Sequence, residues 1–148
     1  YVVSDDLINQ LAIDYIDVLP SNNYLFEGAI ELLDYLSDKY ELHIITNGFE
    51  EVQNLKLQKS GIDKYFNKII TSEAVGVKKP NPLVFEYALR QAKAVANESY
   101  MIGDNLEADI FGALDCGISS IHFNLEKEYL EEKKYHTVSS LLEIKQYL

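Results

Sequence analysis

The chain has 148 residues, 47% of them hydrophobic, and carries 24 acidic against 13 basic side chains for a net charge of -11. That size suits one domain with a core of its own, and that charge repels a nucleic-acid backbone over most of the surface, so an anionic ligand must meet a local positive spot. A single cysteine, Cys116, excludes an internal disulfide, and with three scattered histidines it excludes a structural zinc site; no apolar run of about 18 residues and no basic start leading into an apolar stretch occurs, so neither a membrane span nor a signal peptide is expected and a reducing cytoplasm is the expected compartment.

In chain order, Leu7, Leu11, Tyr15 and Val18, with Ile8 and Ala12 beside them, fall on one face of a helix from Asp5 to Val18. Pro20 and the run Ser21, Asn22, Asn23 break it. The chain begins at Tyr1 rather than methionine, already within the helical pattern, so residues upstream are expected. Ala29, Leu32, Leu33 and Leu36 give a second helix between Gly28 and Lys39, followed by a short strand over residues 41–46. A helix from Glu50 to Ser60 stops at Gly61, and a strand follows over residues 68–71. After a loop from Gly76, Pro82 opens a helix with Val84, Phe85, Ala88, Leu89 and Ala92 on one face. Then come a strand at Tyr100 to Ile102, a helix from Leu106 to Cys116, a strand from Ile118 to Phe123 and an amphipathic helix from Ser139 to Tyr147. Strands alternating with helices of this length imply right-handed crossovers, hence an α/β fold in which a parallel sheet is covered on both faces.

Ligands of such sheets bind beyond the carboxyl ends of the strands, where three stretches carry chemistry. Thr46-Asn47-Gly48 joins a hydroxyl to the free amides of a helix start, which can cradle phosphate, although an Asn-Gly pair also makes an ordinary turn. Gly76 to Pro82 holds Lys78 and Lys79 between a glycine and two prolines; a lysine fixed there can neutralise phosphate oxygens, and a solvated loop lysine is the plainer alternative. Gly103-Asp104-Asn105, with Asp109 one helical turn on, offers hard oxygens of the kind magnesium takes. Asp104 could equally cap a helix, and Asp109 could orient a water, hold a lysine or simply be solvated. Tyr15, Tyr24 and Phe49 are candidates to line a substrate entrance, with packing as the alternative for a chain of eleven tyrosines.

The ordered set of a strand ending in Thr46-Asn47-Gly48, then Lys79-Pro80-Asn81-Pro82, then a strand ending in Gly103-Asp104-Asn105 with Asp109 five positions after Asp104, resembles the second, third and fourth motifs of the haloacid dehalogenase superfamily. The resemblance covers residues 24–148. The wording around Phe26-Glu27-Gly28-Ala29, Ile45 to Phe49 and Gly76 to Pro82 is similar to the small-cap phosphatases that include pyrimidine 5'-nucleotidases. It implies a three-layer, Rossmann-like core over residues 24–148 and the remnant of a helical cap with its return linker over residues 1–23. It further implies that Thr46 and Asn47 bind the transferring phosphoryl group, that Lys79 holds nucleophile and phosphate charge, that Asp104 ligates Mg2+ and that Asp109 supports the metal. The substrate would be a small phosphorylated metabolite, hydrolysed through an aspartyl-phosphate intermediate.

One departure matters. The family attacks phosphorus with the first aspartate of an Asp-x-Asp pair on a central strand, and no Asp-x-Asp occurs in this chain: Asp5 and Asp6, Asp14 and Asp17, and Asp34 and Asp38 all have other spacings. The core is therefore expected to lack its first, central strand, which would lie between the strand ending at Thr46 and the one ending at Gly103, and the chain is expected to be inactive alone. Other readings remain open at this point. They are a sugar phosphatase, a phosphoglycolate phosphatase, a β-phosphoglucomutase or a dehalogenase of the same fold, and a receiver-like domain that binds phosphate or a partner without turnover. A dinucleotide-binding dehydrogenase is disfavoured, because no Gly-x-Gly-x-x-Gly follows any strand.

Overall fold

The computed structural model describes residues 3–18, 21, 23–126 and 134–148. Tyr1, Pro20 and Asn22, on which part of the reading of the first segment fell, lie outside the described residues. The elements alternate as the apolar spacing predicts. Helix α1 spans Asp5–Val18, α2 Ala29–Ser37, strand β1 Leu42–Thr46, α3 Glu50–Ser60, β2 Phe66–Thr71, α4 Ser72–Val75 and α5 Pro82–Ala92. Strand β3 spans Tyr100–Gly103, a π-helical segment Leu106–Phe111 runs into α6 at Gly112–Asp115, and β4 (Ser119–Phe123), β5 (His136–Val138) and a 3-10 helix, Leu141–Gln146, complete the described chain.

Local chemistry sets the boundaries. Asn81 caps α5 by accepting the Leu83 N–H at 3.1 Å, with Pro82 in the first turn where its missing N–H costs nothing. Helix α3 ends on Gly61 at φ 70°, a left-handed turn that glycine adopts without a steric penalty. The expected helix over residues 139–147 is instead a tight 3-10 segment. Ser140 caps it at Leu142, the Glu143 carboxylate reaches back to the Ser139 N–H at 3.0 Å, and only Ile144 is buried. Strand β5 was not legible in the sequence. Its three residues pair in parallel with Ile121, His122 and Phe123, and that pairing is a tertiary fact.

All strand pairings among the described residues are parallel, and they form two sheets, β1-β2 and β3-β4-β5. Neighbouring residues feed two cores on opposite faces, which is the three-layer arrangement. On one face Leu32 and Leu36 of α2 meet Ile121, Val138 and Ile144, with Leu42 and Ile102 against them. On the other, Phe85 of α5 meets Ala113 and Ile118, with Ile45 and Met101 against them. Met101 and Ile102 thus point to opposite faces, as alternation along a strand requires.

Strands β1 and β3 flank a cleft instead of pairing. The cleft is an apolar cavity of about 420 Å³ whose walls include Leu42, Ile44 and Ile45 from β1 and Met101 and Ile102 from β3. His43 lies on the same wall, with its Nδ1 buried and without a hydrogen-bond partner among the described residues; burial holds its pKa below the ordinary value, with Glu41 opposing the shift and Lys68 adding to it. Helix α1 stands apart from these cores: Leu7, Ile8, Leu11, Ile13, Tyr15 and Val18 are all exposed.

Candidate functional site

The register of the sheets brings the three motif stretches to one end. Thr46 lies opposite Thr71 at the carboxyl end of β1-β2, and Gly103 lies opposite His122 at the carboxyl end of β3-β4. The loops that leave those ends are knitted together by Lys79. Its backbone N–H donates to Asn47 Oδ1 at 2.8 Å and its carbonyl accepts from Asn47 Nδ2 at 3.2 Å, so the Asn47 carboxamide fixes the lysine backbone from both sides. The Lys79 ammonium donates to the Ile45 carbonyl at 2.9 Å and to Asp109 Oδ1 at 2.5 Å. The two side chains of that ion pair are only 9% and 7% exposed, so the pair is shielded from water. Lys78 is exposed, lines the cavity beside Asn47 and Gly48, and has no hydrogen bond to this network among the described residues.

Asp109 pairs with Lys79, one of the alternatives its position offers. Its Oδ1 takes Lys79, and its Oδ2 accepts the Asn105 N–H at 3.2 Å. The π-helical first turn contributes to this placement, because the N–H groups of Asp109 and Ile110 both donate to the Asn105 carbonyl. Asn105 caps the same turn, its Oδ1 accepting the Ala108 N–H at 2.8 Å. Asp104, next to it, is exposed, and its carboxylate has no hydrogen bond or ion pair among the described residues. Thr46 Oγ1 accepts the Gly48 N–H at 3.1 Å, which shapes the turn into α3. Thr46, Asn47, Lys79, Asp104 and Asp109 therefore meet at one rim, linked directly or through an adjoining residue.

Gly103 is a glycine for reasons of space. A Cβ there would lie 2.5 Å from both the Cβ and the Oδ2 of Asp109. Gly103→Ala is accordingly expected to displace Asp109 and break its pair with Lys79, lowering stability by at least the about 1–3 kcal/mol typical of overpacking. Urea unfolding measures this, and an unchanged midpoint would show that the turn has slack.

A hard divalent cation fits the donor chemistry in part. Among the described residues the Asp104 carboxylate at the rim has no partner, whereas both oxygens of Asp109 are engaged. Among the described residues no group of three or more His, Cys, Asp or Glu side chains is arranged to hold a metal. Asp104 can thus supply one oxygen ligand, and the remainder of an octahedral shell would come from water, from substrate oxygens and from a carboxylate outside these residues.

Beside the rim lies a cavity of about 490 Å³ between Tyr15 of α1, the Asn47 to Phe49 turn and Gln53. Two of the three candidate entrance aromatics, Tyr15 and Phe49, meet there; Tyr24, 95% exposed, does not line it. Among the described residues no helix is long and apolar enough to cross a membrane.

Comparison with known proteins agrees with this geometry. The chain is 38% identical over 124 residues to the pyrimidine 5'-nucleotidase YjjG of Escherichia coli, covering 82% of this chain and 55% of that protein. It is 36% identical over 113 residues to a glyceraldehyde 3-phosphate phosphatase of Methanothermobacter thermautotrophicus, covering 76% of this chain and 49% of that one. The chain thus spans about half the length of the curated relatives it matches. The structure superposes on the putative HAD-hydrolase YfnB from Bacillus subtilis, solved bound to magnesium, with a TM-score of 0.86 and 28% identity, over 99% of this chain and 64% of that one. With residues 2–123 matching the family as a continuous stretch, and the three motif stretches gathered at one sheet end, the chain belongs to the haloacid dehalogenase-like hydrolases.

Proposed function

We propose that the protein carrying this chain hydrolyses a small phosphomonoester, with a nucleotide as the leading substrate class. The observation that carries this reading is the buried Lys79 ammonium, fixed between the Ile45 carbonyl and Asp109 and aimed at the rim where Thr46 and the free Asp104 carboxylate stand. A positive charge held in a low-dielectric setting stabilises the charge that builds on a transferring phosphoryl group. Thr46 and the amides after it orient that group, and Asn47 acts by holding the Lys79 backbone in place. Asp104 is the ligand of the magnesium ion, and Asp109 supports the site by orienting Lys79. When bound, magnesium supplies Lewis-acid charge to phosphoryl oxygens.

The nucleophile, in this reading, is the first aspartate of an Asp-x-Asp pair on a strand that fills the cleft between β1 and β3 and places it against Lys79, with an aspartyl-phosphate as the intermediate. Residues 1–23 belong to a cap, which accounts for the exposed apolar face of α1 and for the cavity shared by Tyr15 and Phe49. That cavity is large enough for the leaving group of a mononucleotide. Similarity to pyrimidine 5'-nucleotidase YjjG favours a nucleotide, and the net charge of -11 favours a small metabolite over a nucleic-acid polymer.

The direct test is phosphate release from an aryl phosphate by the full-length protein, with and without magnesium. Release is expected only with the metal. Asp104→Ala is expected to raise the magnesium concentration for half-maximal release by more than the about tenfold typical of losing an outer partner of a metal ligand. An unaltered magnesium requirement in that variant would remove Asp104 from the site.

A further inference from the structure

We propose that His122 is a positioning residue for the magnesium ligand, acting on Asp104 through its backbone. The inference rests on the reading of Asp104 as that ligand. His122 stands near the carboxyl end of β4, 4% exposed and in register with Gly103, and its Nε2 lies 3.1 Å from the Asp104 carbonyl oxygen. A carbonyl only accepts, so this contact requires the tautomer that carries its proton on Nε2, and His122 is the donor.

The same peptide unit is held at its other end. The Asp104 carbonyl and the Asn105 N–H belong to one planar group, and the Asn105 N–H donates to Asp109 Oδ2 at 3.2 Å. With both polar atoms of that plane bonded to buried side chains, rotation about the Asp104 Cα–C bond is blocked. The direction in which the Asp104 Cα–Cβ bond leaves the strand end is thereby fixed, and with it the point from which the carboxylate reaches the rim. Asp109 is also the partner of Lys79, so one chain of contacts runs from His122 through the Asp104 peptide to the ammonium at the phosphate end. The histidine ring is itself braced. Tyr135 meets it edge to face at 6.1 Å between centroids, and Phe111, on the π-helical segment after the loop, meets Tyr135 at 6.0 Å. No motif pointed to His122, because it acts on a backbone atom 18 residues away that only the sheet pairing brings near.

Two variants separate donor from ring. His122→Phe keeps an aromatic ring beside Tyr135 and removes the N–H; His122→Gln discards the ring and offers an amide N–H at a similar reach. Magnesium binding to the full-length protein, measured by titration calorimetry without substrate, is expected to weaken by about tenfold to a hundredfold in His122→Phe, the range seen when a partner of a metal ligand is lost. His122→Gln is expected to recover most of that loss, and saturating magnesium to restore the turnover number of His122→Phe while KM for the phosphate ester stays put. If His122→Phe does not fold, His122→Asn, whose amide stops short of the carbonyl, takes its place in the comparison with His122→Gln. Wild-type affinity in His122→Phe overturns the inference alone, as does a His122→Gln protein no tighter than His122→Phe. A wild-type protein that takes up no magnesium overturns the reading of Asp104 together with it.

Discussion

Lys79→Ala is expected to reduce phosphate release by the full-length protein about a hundredfold to a thousandfold, the usual consequence of deleting one fixed donor aimed at developing charge. It is also expected to cost stability. The ammonium is the partner of Asp109 Oδ1 in a pair whose side chains are 9% and 7% exposed, so alanine leaves a buried carboxylate without its counter-charge, a loss of about 3–5 kcal/mol where one member of a buried pair is removed. Adding Asp109→Asn to Lys79→Ala is expected to restore part of the stability and none of the turnover, because a neutral amide tolerates burial but supplies no charge to the phosphoryl group. Lys78→Ala, on an exposed side chain of the same loop, is expected to leave both quantities close to wild type. Steady-state phosphate release and urea unfolding of the four proteins decide the matter, and the opposite ranking of the two lysines would reassign the phosphate-binding role.

The second large effect concerns the cleft between β1 and β3. Their inner edges present backbone groups that pair with no strand among the described residues, and the cleft between them is walled by apolar side chains. Unpaired edges of this kind recruit other chains, and each backbone hydrogen bond formed there is worth about 0.5–1.5 kcal/mol net. The 148-residue chain alone is therefore expected to self-associate and to release no phosphate. In the full-length protein, the β1 and β3 amides that face neither β2 nor β4 are expected to exchange orders of magnitude more slowly than in this chain. Light scattering, phosphate release and hydrogen exchange check the three expectations. Equal exchange in the two proteins would mean that nothing occupies the cleft, and the proposed position of the nucleophile would fall with it.

Much of the architecture was legible in the sequence because the signals are local. Leu32 and Leu36, or Val84, Phe85 and Ala88, fall on one helical face whatever surrounds them, and Gly61 and Pro82 end and begin helices by their own backbone preferences. The order Thr46-Asn47-Gly48, Lys79-Pro80 and Gly103-Asp104-Asn105 sufficed to name the residues at the rim, because each stretch ends a strand or enters a helix. Strand β5 and the 3-10 form of residues 141–146 escaped, since three residues such as His136 to Val138 become a strand only by pairing with β4.

Which residue types stand at the carboxyl ends of the strands, and that no Asp-x-Asp is among them, can be read from the order of residues alone. What those residues hold emerges only when the chain is folded. Asp109 was free on paper to bind metal, water or lysine, and it is the folded chain that turns Lys79 inward onto it and leaves Asp104 open. The physical reason is that local patterns report which way a side chain faces from its own helix or strand. A hydrogen bond between residues 30 apart, such as Lys79 to Asp109, depends on how separate elements pack, and so does the cleft that keeps β1 and β3 from pairing.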